Sequence, residues 1–142
     1  MVSTIAVGVD GSPRAAKAVD MAVELARPLH AKVVLLSALP DATATPTDLA
    51  VDTVELEWAT NPSARVQHTL DRTRARVERD GLECSTLTDE GEPADVLVRL
   101  AGECSADILV VGNKGMKRRV LSSVPNRVTH KAECAVLIVH TG

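Results

Sequence analysis

The stretch from residue 107 to residue 139 reads DILVVGNKGMKRRVLSSVPNRVTHKAECAVLIV. It opens with an aliphatic run at residues 107–111 and closes with another at residues 135–139. Between them lies a segment that begins near Ser123 and has apolar residues at helical spacing. Aliphatic runs of this kind are typical of parallel strands covered by helices on both faces. The stretch therefore predicts a strand, a helix and a second strand parallel to the first.

The same alternation of strands and helices continues upstream, except between residues 40 and 61, where periodicity is weak. Ser12 is a good N-cap residue, and Pro13 suits the first position of a helix. The pattern predicts an α/β fold: one domain over residues 1–142, with an open five-stranded parallel sheet of Rossmann-like order 3-2-1-4-5 and helices on both faces. The other predicted strands are 4–9, 32–38 and 83–88, and the other helices start at Ser12-Pro13, Asn61-Pro62 and Gly91-Glu92-Pro93.

Composition excludes several classes of protein. The 142 residues include no Phe, no Tyr and one Trp, so bases have almost nothing to stack on, and the net charge of -3 is not that of a nucleic-acid binder. No run reaches the ~20 apolar residues of a membrane span, and no signal peptide is recognisable. Three widely spaced cysteines suit a reducing compartment. We expect a cytoplasmic protein that binds neither nucleic acid nor membrane.

Three predicted strand ends carry candidate ligand-binding segments, at residues 10–12, 37–39 and 112–115. In an open parallel sheet, ligands bind beyond the carboxyl ends of the strands, where the strand order reverses. The two glycines of the third segment allow a sharp turn and a close approach of backbone to ligand. A basic stretch then leads to Ser122-Ser123 at a helix start, where free N–H groups and the helix dipole favour an anion. The loop therefore predicts a phosphorylated ligand.

Several of these residues have a second interpretation. Asp10 either contacts the ligand or hydrogen-bonds the turn into the first helix, whereas Ser12 is better explained as a helix cap than as a nucleophile. The basic loop residues either attract phosphate or are simply solvated; they are Lys114, Lys117, Arg118 and Arg119. The four histidines lack metal-ligand spacing. With no general base or metal-holding carboxylate pair beyond Asp10, an enzyme is disfavoured, and at most a slow ATPase is expected.

Three parts of the chain resemble the universal stress protein family. They are Val9-Asp10-Gly11-Ser12, Gly91-Glu92-Pro93 and the run from Val110 to Val139. The most specific portion reads VVGNKGM, then SSVPNRV, then CAVLIV. The resemblance covers almost the whole chain and is weakest between residues 40 and 61.

The resemblance implies a nucleotide site and a dimer. In family members that bind nucleotide, a G-x2-G-x9-G-[ST] motif follows the fourth strand and holds the phosphates. Here six residues, not nine, separate Gly115 from the Ser122-Ser123 pair, and Ser122 replaces the third glycine. The implied homodimer pairs strand 135–139 antiparallel with its copy. The implied site consists of Asp10 at the nucleoside, Ala38 by its backbone at the adenine, and Gly112, Gly115, Ser122 and Ser123 at the phosphates.

Two functions remain open from the sequence. The first is a stress-response regulatory protein that binds ATP, with Mg²⁺, as a homodimer and alters its interaction with an unidentified protein partner. The alternative is a universal stress protein that binds no ATP and acts through protein–protein interaction, its phosphate loop being degenerate.

Overall fold

The structure is a computed structural model, and it describes residues 1–39, 62–113 and 123–140. Strands and helices alternate along the chain as the sequence predicts. The strands of the described residues are β1 (Thr4–Gly8), β2 (Lys32–Leu39), β3 (Cys84–Glu90), β4 (Ile108–Gly112) and β5 (Ala135–Val139). The helices of the same residues are α1 (Pro13–Leu29), α2 (Pro62–Arg79), α3 (Pro93–Glu103) and α4 (Ser123–Lys131). No helix in these ranges is long and apolar enough to cross a membrane.

The strands form one sheet in the order β3-β2-β1-β4-β5, and every neighbouring pair is parallel. This confirms the predicted fold class and strand order. Val7 of the central strand β1 is in register with Leu35 of β2 and with Val110 of β4. The strand order reverses between β1 and β4, because the chain first builds the sheet through β2 to β3 and then crosses to the other side. The switch point therefore lies beyond the carboxyl ends of β1 and β4.

The sheet is buried on both faces, and alternate residues of each central strand point into different clusters. Helices α1 and α2 cover one face, and α3 and α4 cover the other. The first cluster includes Ile5, Val7, Val33, Leu35, Val19, Leu70 and Val77. The second includes Ala6, Val34, Leu36, Leu109, Val96, Leu100 and Val128. This two-sided burial explains why the strands read as unbroken aliphatic runs.

The helix starts follow the predicted capping chemistry. The Ser12 hydroxyl accepts a hydrogen bond from Ala15 N at 3.2 Å, which confirms Ser12 as the N-cap of α1. Glu92 caps α3 in the same way, with its carboxylate accepting from Asp95 N at 3.0 Å. Gly81 follows α2 with a φ of 85°, a left-handed conformation that glycine adopts readily. Short local signals thus set where these helices begin and end.

Strand β3 differs from its predicted bounds of 83–88 and runs from Cys84 to Glu90. The reason is its partner: β2 extends to Leu39, which is in register with Glu90, so the ladder continues past the apolar part of β3. Polar residues can occupy this strand because it lies at the edge of the sheet. The predicted bounds of β1 and β2 shift by one residue at the carboxyl end, those of β4 shift by one residue at both ends, and those of β5 are confirmed.

Candidate functional site

The carboxyl ends of β1 and β2 are tied together by two hydrogen bonds. Val9 N donates to Leu36 O at 2.8 Å, which continues the ladder one residue beyond β1. The hydroxyl of Ser37 donates to Val9 O at 2.8 Å, and Ser37 is only 5% exposed. These bonds fix the backbone immediately before Asp10 against the segment that contains Ala38. Ala38 itself is half-buried in β2.

Asp10 folds the turn that leads into α1. Its Oδ1 accepts hydrogen bonds from Ser12 N at 2.9 Å and from the Ser12 hydroxyl at 2.6 Å. Gly11, between them, has a φ of 82°, which a residue with a side chain would rarely adopt. The structural interpretation of Asp10 is therefore confirmed. Within the described ranges the other carboxylate oxygen, Oδ2, has no hydrogen-bond partner, and Asp10 is exposed.

The carboxyl end of β4 is tied to β5 in a similar way. Gly112 is in register with Val139, and Asn113 N donates to Val139 O at 2.9 Å. The Asn113 side-chain Nδ2 lies 3.3 Å from His140 Nδ1. The chain beyond Gly112 therefore leaves the sheet from a fixed starting point at the switch point.

Helix α4 completes this edge of the sheet. It begins at Ser123 and connects β4 to the parallel strand β5, so it must run from the carboxyl edge back to the amino edge. Its first turn accordingly presents free N–H groups and the positive end of the helix dipole at the carboxyl edge. Pro125 and Val128 are buried and anchor the helix on the sheet.

The structure thus places four predicted site residues at one edge: Asp10, Ala38, Gly112 and the backbone of Ser123. The predicted residues Gly115 and Ser122 lie outside the described residues. The same holds for the four basic residues of the loop and for Trp58.

The sequence analysis included Ser37 in the candidate segment 37–39 without giving it a role, and it missed a second residue at this edge. Ser37 is the only hydroxyl in the aliphatic run of β2, and the structure assigns it the hydrogen bond to Val9 O. Thr69 of α2 gave no local signal, because the docking of α2 on the sheet brings it to the turn after β1. A β-carbon placed on Gly11 would lie 3.7 Å from Thr69 Oγ1. Thr69 therefore forms part of the wall beside the Asp10 turn.

The thiols do not supply a nucleophile. All three cysteines are free, and Cys84 is buried. Burial raises the pKa of Cys84 to about 11, and burial also raises the pKa values of Cys104 and Cys134. A thiol held in its protonated form is a poor nucleophile and metal ligand. Among the described residues, no group of three or more His, Cys, Asp or Glu side chains could hold a metal ion.

A cavity of about 410 Å³ lies away from this edge, between the last turns of α3 and α4. Its lining includes Gly102, Ser105, Lys131 and Cys134, all near the amino ends of β4 and β5. It therefore belongs to the opposite edge of the sheet and is not the crevice at the switch point.

These features define a class of protein: doubly wound α/β domains with a candidate ligand crevice at the switch point of a parallel sheet. The model of the universal stress protein family matches residues 1–140, and the chain belongs to this family. The resemblance inferred from the sequence motifs is thereby confirmed.

Similar proteins support the same assignment. The chain is 38% identical over 145 residues to universal stress protein Rv1636 of Mycobacterium tuberculosis, covering 97% of this chain and 96% of that protein. A solved structure of a universal stress protein in complex with cAMP is 32% identical, with a TM-score of 0.76 and 99% of each chain covered. The universal stress protein from Archaeoglobus fulgidus in complex with dAMP is 25% identical, with a TM-score of 0.68, covering 97% of this chain and 98% of that chain.

Proposed function

We propose that this chain, acting as a single domain over residues 1–142, binds an adenine nucleotide in the crevice beyond β1, β2 and β4 and is a regulatory protein of the stress response. One observation carries the proposal: Asp10, Gly112 and the first turn of α4 lie at the same edge of the sheet, at its switch point. The cAMP and dAMP complexes of similar proteins support an adenine nucleotide as the ligand class. ATP, with Mg²⁺, is the nucleotide that the sequence motifs favour.

Each proposed site residue has a distinct role. The outward oxygen of Asp10 accepts hydrogen bonds from the nucleoside, since the inward oxygen is already engaged by Ser12. The backbone of Ala38 borders the adenine. Gly112 and Gly115 let the backbone approach the phosphates, and Ser122, Ser123 and the amides of the first turn of α4 hold them.

The site is tested by Gly112→Asp, because a carboxylate there repels phosphate and removes the close backbone approach. Isothermal titration calorimetry with ATP, AMP and cAMP, with and without Mg²⁺, should show binding to the wild type. Binding to the variant should be weakened by roughly tenfold or more, which corresponds to about 1.4 kcal/mol. The matched control is Gly102→Asp in α3, where a β-carbon meets nothing within 4 Å. No binding by the wild type, or equal loss in both variants, contradicts the proposal.

The proposed protein is a homodimer in which β5 pairs antiparallel with its copy. β5 is an edge strand that pairs with β4 on one side, and its Ile138 is 44% exposed. An aliphatic edge strand of this kind is a template for pairing unless something covers it. Light scattering coupled to size-exclusion chromatography should report a dimer for the wild type and a monomer for Ile138→Lys. Leu29→Lys is the control, because Leu29 is equally exposed, at 43%, on α1. A monomeric wild type would refute the dimer.

A second candidate function is interaction without nucleotide, and the sequence of the loop favours it. The spacing of six residues and the serine at the third glycine position depart from the motif of family members that bind nucleotide. Protein isolated gently from cells and analysed by mass spectrometry under native conditions should carry adenine nucleotide if the first function holds. A nucleotide-free protein that co-purifies with a specific partner supports the second. In either case we propose a cytoplasmic protein, which suits its free thiols.

A further inference from the structure

The N-cap of α3 has a second partner besides its own helix. One oxygen of Glu92, Oε2, accepts from Asp95 N at 3.0 Å and caps α3. The other oxygen, Oε1, lies 2.9 Å from Nη1 of Arg127 in α4. A single carboxylate therefore both starts α3 and contacts the helix that begins at Ser123.

A second pair of charges joins the same two helices. Asp95, in the first turn of α3, accepts a hydrogen bond from Lys131 Nζ at 2.5 Å and lies 4.0 Å from Arg127 Nη2. The hydrogen bond from Lys131 is the main cause that lowers the pKa of Asp95. Both carboxylates lie at the start of α3, and Lys131 lies in the last turn of α4, which is the favourable arrangement for the helix dipoles, whereas Arg127 lies at the middle of α4. We call Glu92, Asp95, Arg127 and Lys131 the α3–α4 ion-pair cluster.

The apolar contact between α3 and α4 does not by itself fix how α4 is placed along α3. Val96 and Leu100 of α3 and Val128 of α4 are buried in one cluster and hold the helices together. Apolar attraction is not directional, so it sets the separation of two helices more strictly than their sliding or rotation. Helix α4 has only nine residues, and it carries the first-turn amides of the proposed phosphate site. Paired charges at fixed positions along α3 specify where α4 sits lengthwise.

We propose that the α3–α4 ion-pair cluster positions the first turn of α4 in the crevice and thereby sets the affinity for the adenine nucleotide. The inference rests on the proposed function, and it assigns these four side chains a role beyond the ligand contacts themselves. They are positioning residues, because they act through the backbone of α4.

The test uses variants that remove charge and little else. Glu92→Gln keeps an oxygen that caps α3 but loses its charge toward Arg127, and Arg127→Gln removes the partner. Each should weaken the binding of ATP and cAMP by roughly two- to fivefold in calorimetry at low salt, the range expected for an exposed ion pair. The double variant should be no weaker than either single variant, and Arg127→Lys should restore most of the affinity. The control is Glu78→Gln, which breaks the exposed pair with Arg74 within α2 and should change nothing.

Whether Glu92→Gln weakens or strengthens nucleotide binding shows whether Arg127 positions α4 or contacts the phosphates directly. If Arg127 instead bound the phosphates, releasing it from Glu92 would strengthen binding. Tighter or unchanged binding in Glu92→Gln therefore overturns the proposal.

A measurement without nucleotide keeps this inference separate from the proposed function. Amide hydrogen exchange should speed up in residues 123–131 in Glu92→Gln and Arg127→Gln but not in Glu78→Gln, while circular dichroism shows all three folded. If exchange in α4 is unchanged, the cluster does not position the helix and the inference is wrong. If the wild type binds no adenine nucleotide, the proposed function is wrong, and so is the claim that the cluster sets the affinity for nucleotide. The exchange rates then decide alone whether the cluster positions α4.

Discussion

At the scale of single residues, the candidate site depends on groups that are satisfied by their neighbours. The Ser37 hydroxyl donates a hydrogen bond to Val9 O, and one oxygen of Asp10 accepts hydrogen bonds from Ser12. The packing next to this turn is also tight: a β-carbon on Gly8 would lie 3.2 Å from Leu97 Cδ1. The turn after β1 is therefore held by the hydrogen bonds of Val9 and Asp10 and by the close packing of Leu97 against Gly8.

Replacing Ser37 by Ala should destabilise the fold, because Val9 O then loses a hydrogen bond in a buried place. The expected loss is about 1–3 kcal/mol in the free energy of unfolding, measured by urea titration. Ser85→Ala, at an exposed position of β3, is the matched control and should fall within about 0.5 kcal/mol of the wild type. Equal stability of the two variants would show that the Ser37 bond contributes nothing.

At the scale of elements, helix α1 ends on an unfavourable residue. His30 at the C-cap has a φ of 54°, and its N–H contacts the carbonyls of Ala26 and Arg27. The left-handed conformation costs a residue with a β-carbon roughly 1–2 kcal/mol, whereas glycine adopts it freely.

His30→Gly should therefore stabilise the protein by about 0.5–1 kcal/mol, since the relief of strain exceeds the entropy that glycine loses on folding. The midpoint of thermal unfolding, followed by circular dichroism, should rise by a few degrees. His30→Ala serves as the control: it removes the imidazole but keeps the β-carbon and should bring no such gain. A variant with glycine that is less stable than the one with alanine would contradict this account of the cap.

Elements were predictable where a local signal determined them. The run Ala135–Val139 and the pair Ser12-Pro13 sufficed for β5 and for the start of α1. The bounds of β3 were not predictable from its own residues, because the length of β2 decides how far the ladder continues. Thr69 is separated from Gly11 by the whole of α1 and β2 and by the segment beyond, so only tertiary packing brings them together. Asp10, Ala38 and Gly112 could be assigned to one edge from the sequence because parallel strands end together.

At the scale of the whole molecule, three carboxylates link different elements of the fold, and their pKa values are lower than in the unfolded chain. Asp107 accepts from the amides of Ser3 and Thr4, which lowers its pKa. The pKa of Asp89 is lowered by its hydrogen bond from Arg99, and that of Asp95 by its hydrogen bond from Lys131. All three groups therefore stabilise the fold above their ordinary pKa of 3.8 and lose this effect as the pH falls through their lowered values.

Asp107→Asn should consequently lower the midpoint of thermal unfolding at pH 7, where the ionised carboxylate receives the two amides. The difference from the wild type should shrink as the pH falls below 3.8, because the wild-type carboxyl then becomes protonated as well. Differential scanning calorimetry between pH 7 and pH 2.5 measures this difference. A gap that stays constant, or grows in acid, would show that the charge of Asp107 has no part in tying β1 to the start of β4.

The edge position of β5 has a mechanical consequence. A strand with one neighbour frays from its end, one ladder bond at a time, and for β5 the terminal bond joins Val139 O to Asn113 N. That bond secures the residue directly after Gly112, so fraying of β5 from this end releases Asn113 first. A second molecule paired with β5 would oppose this fraying, and self-association would thereby stiffen the chain at Asn113, where it leaves the sheet.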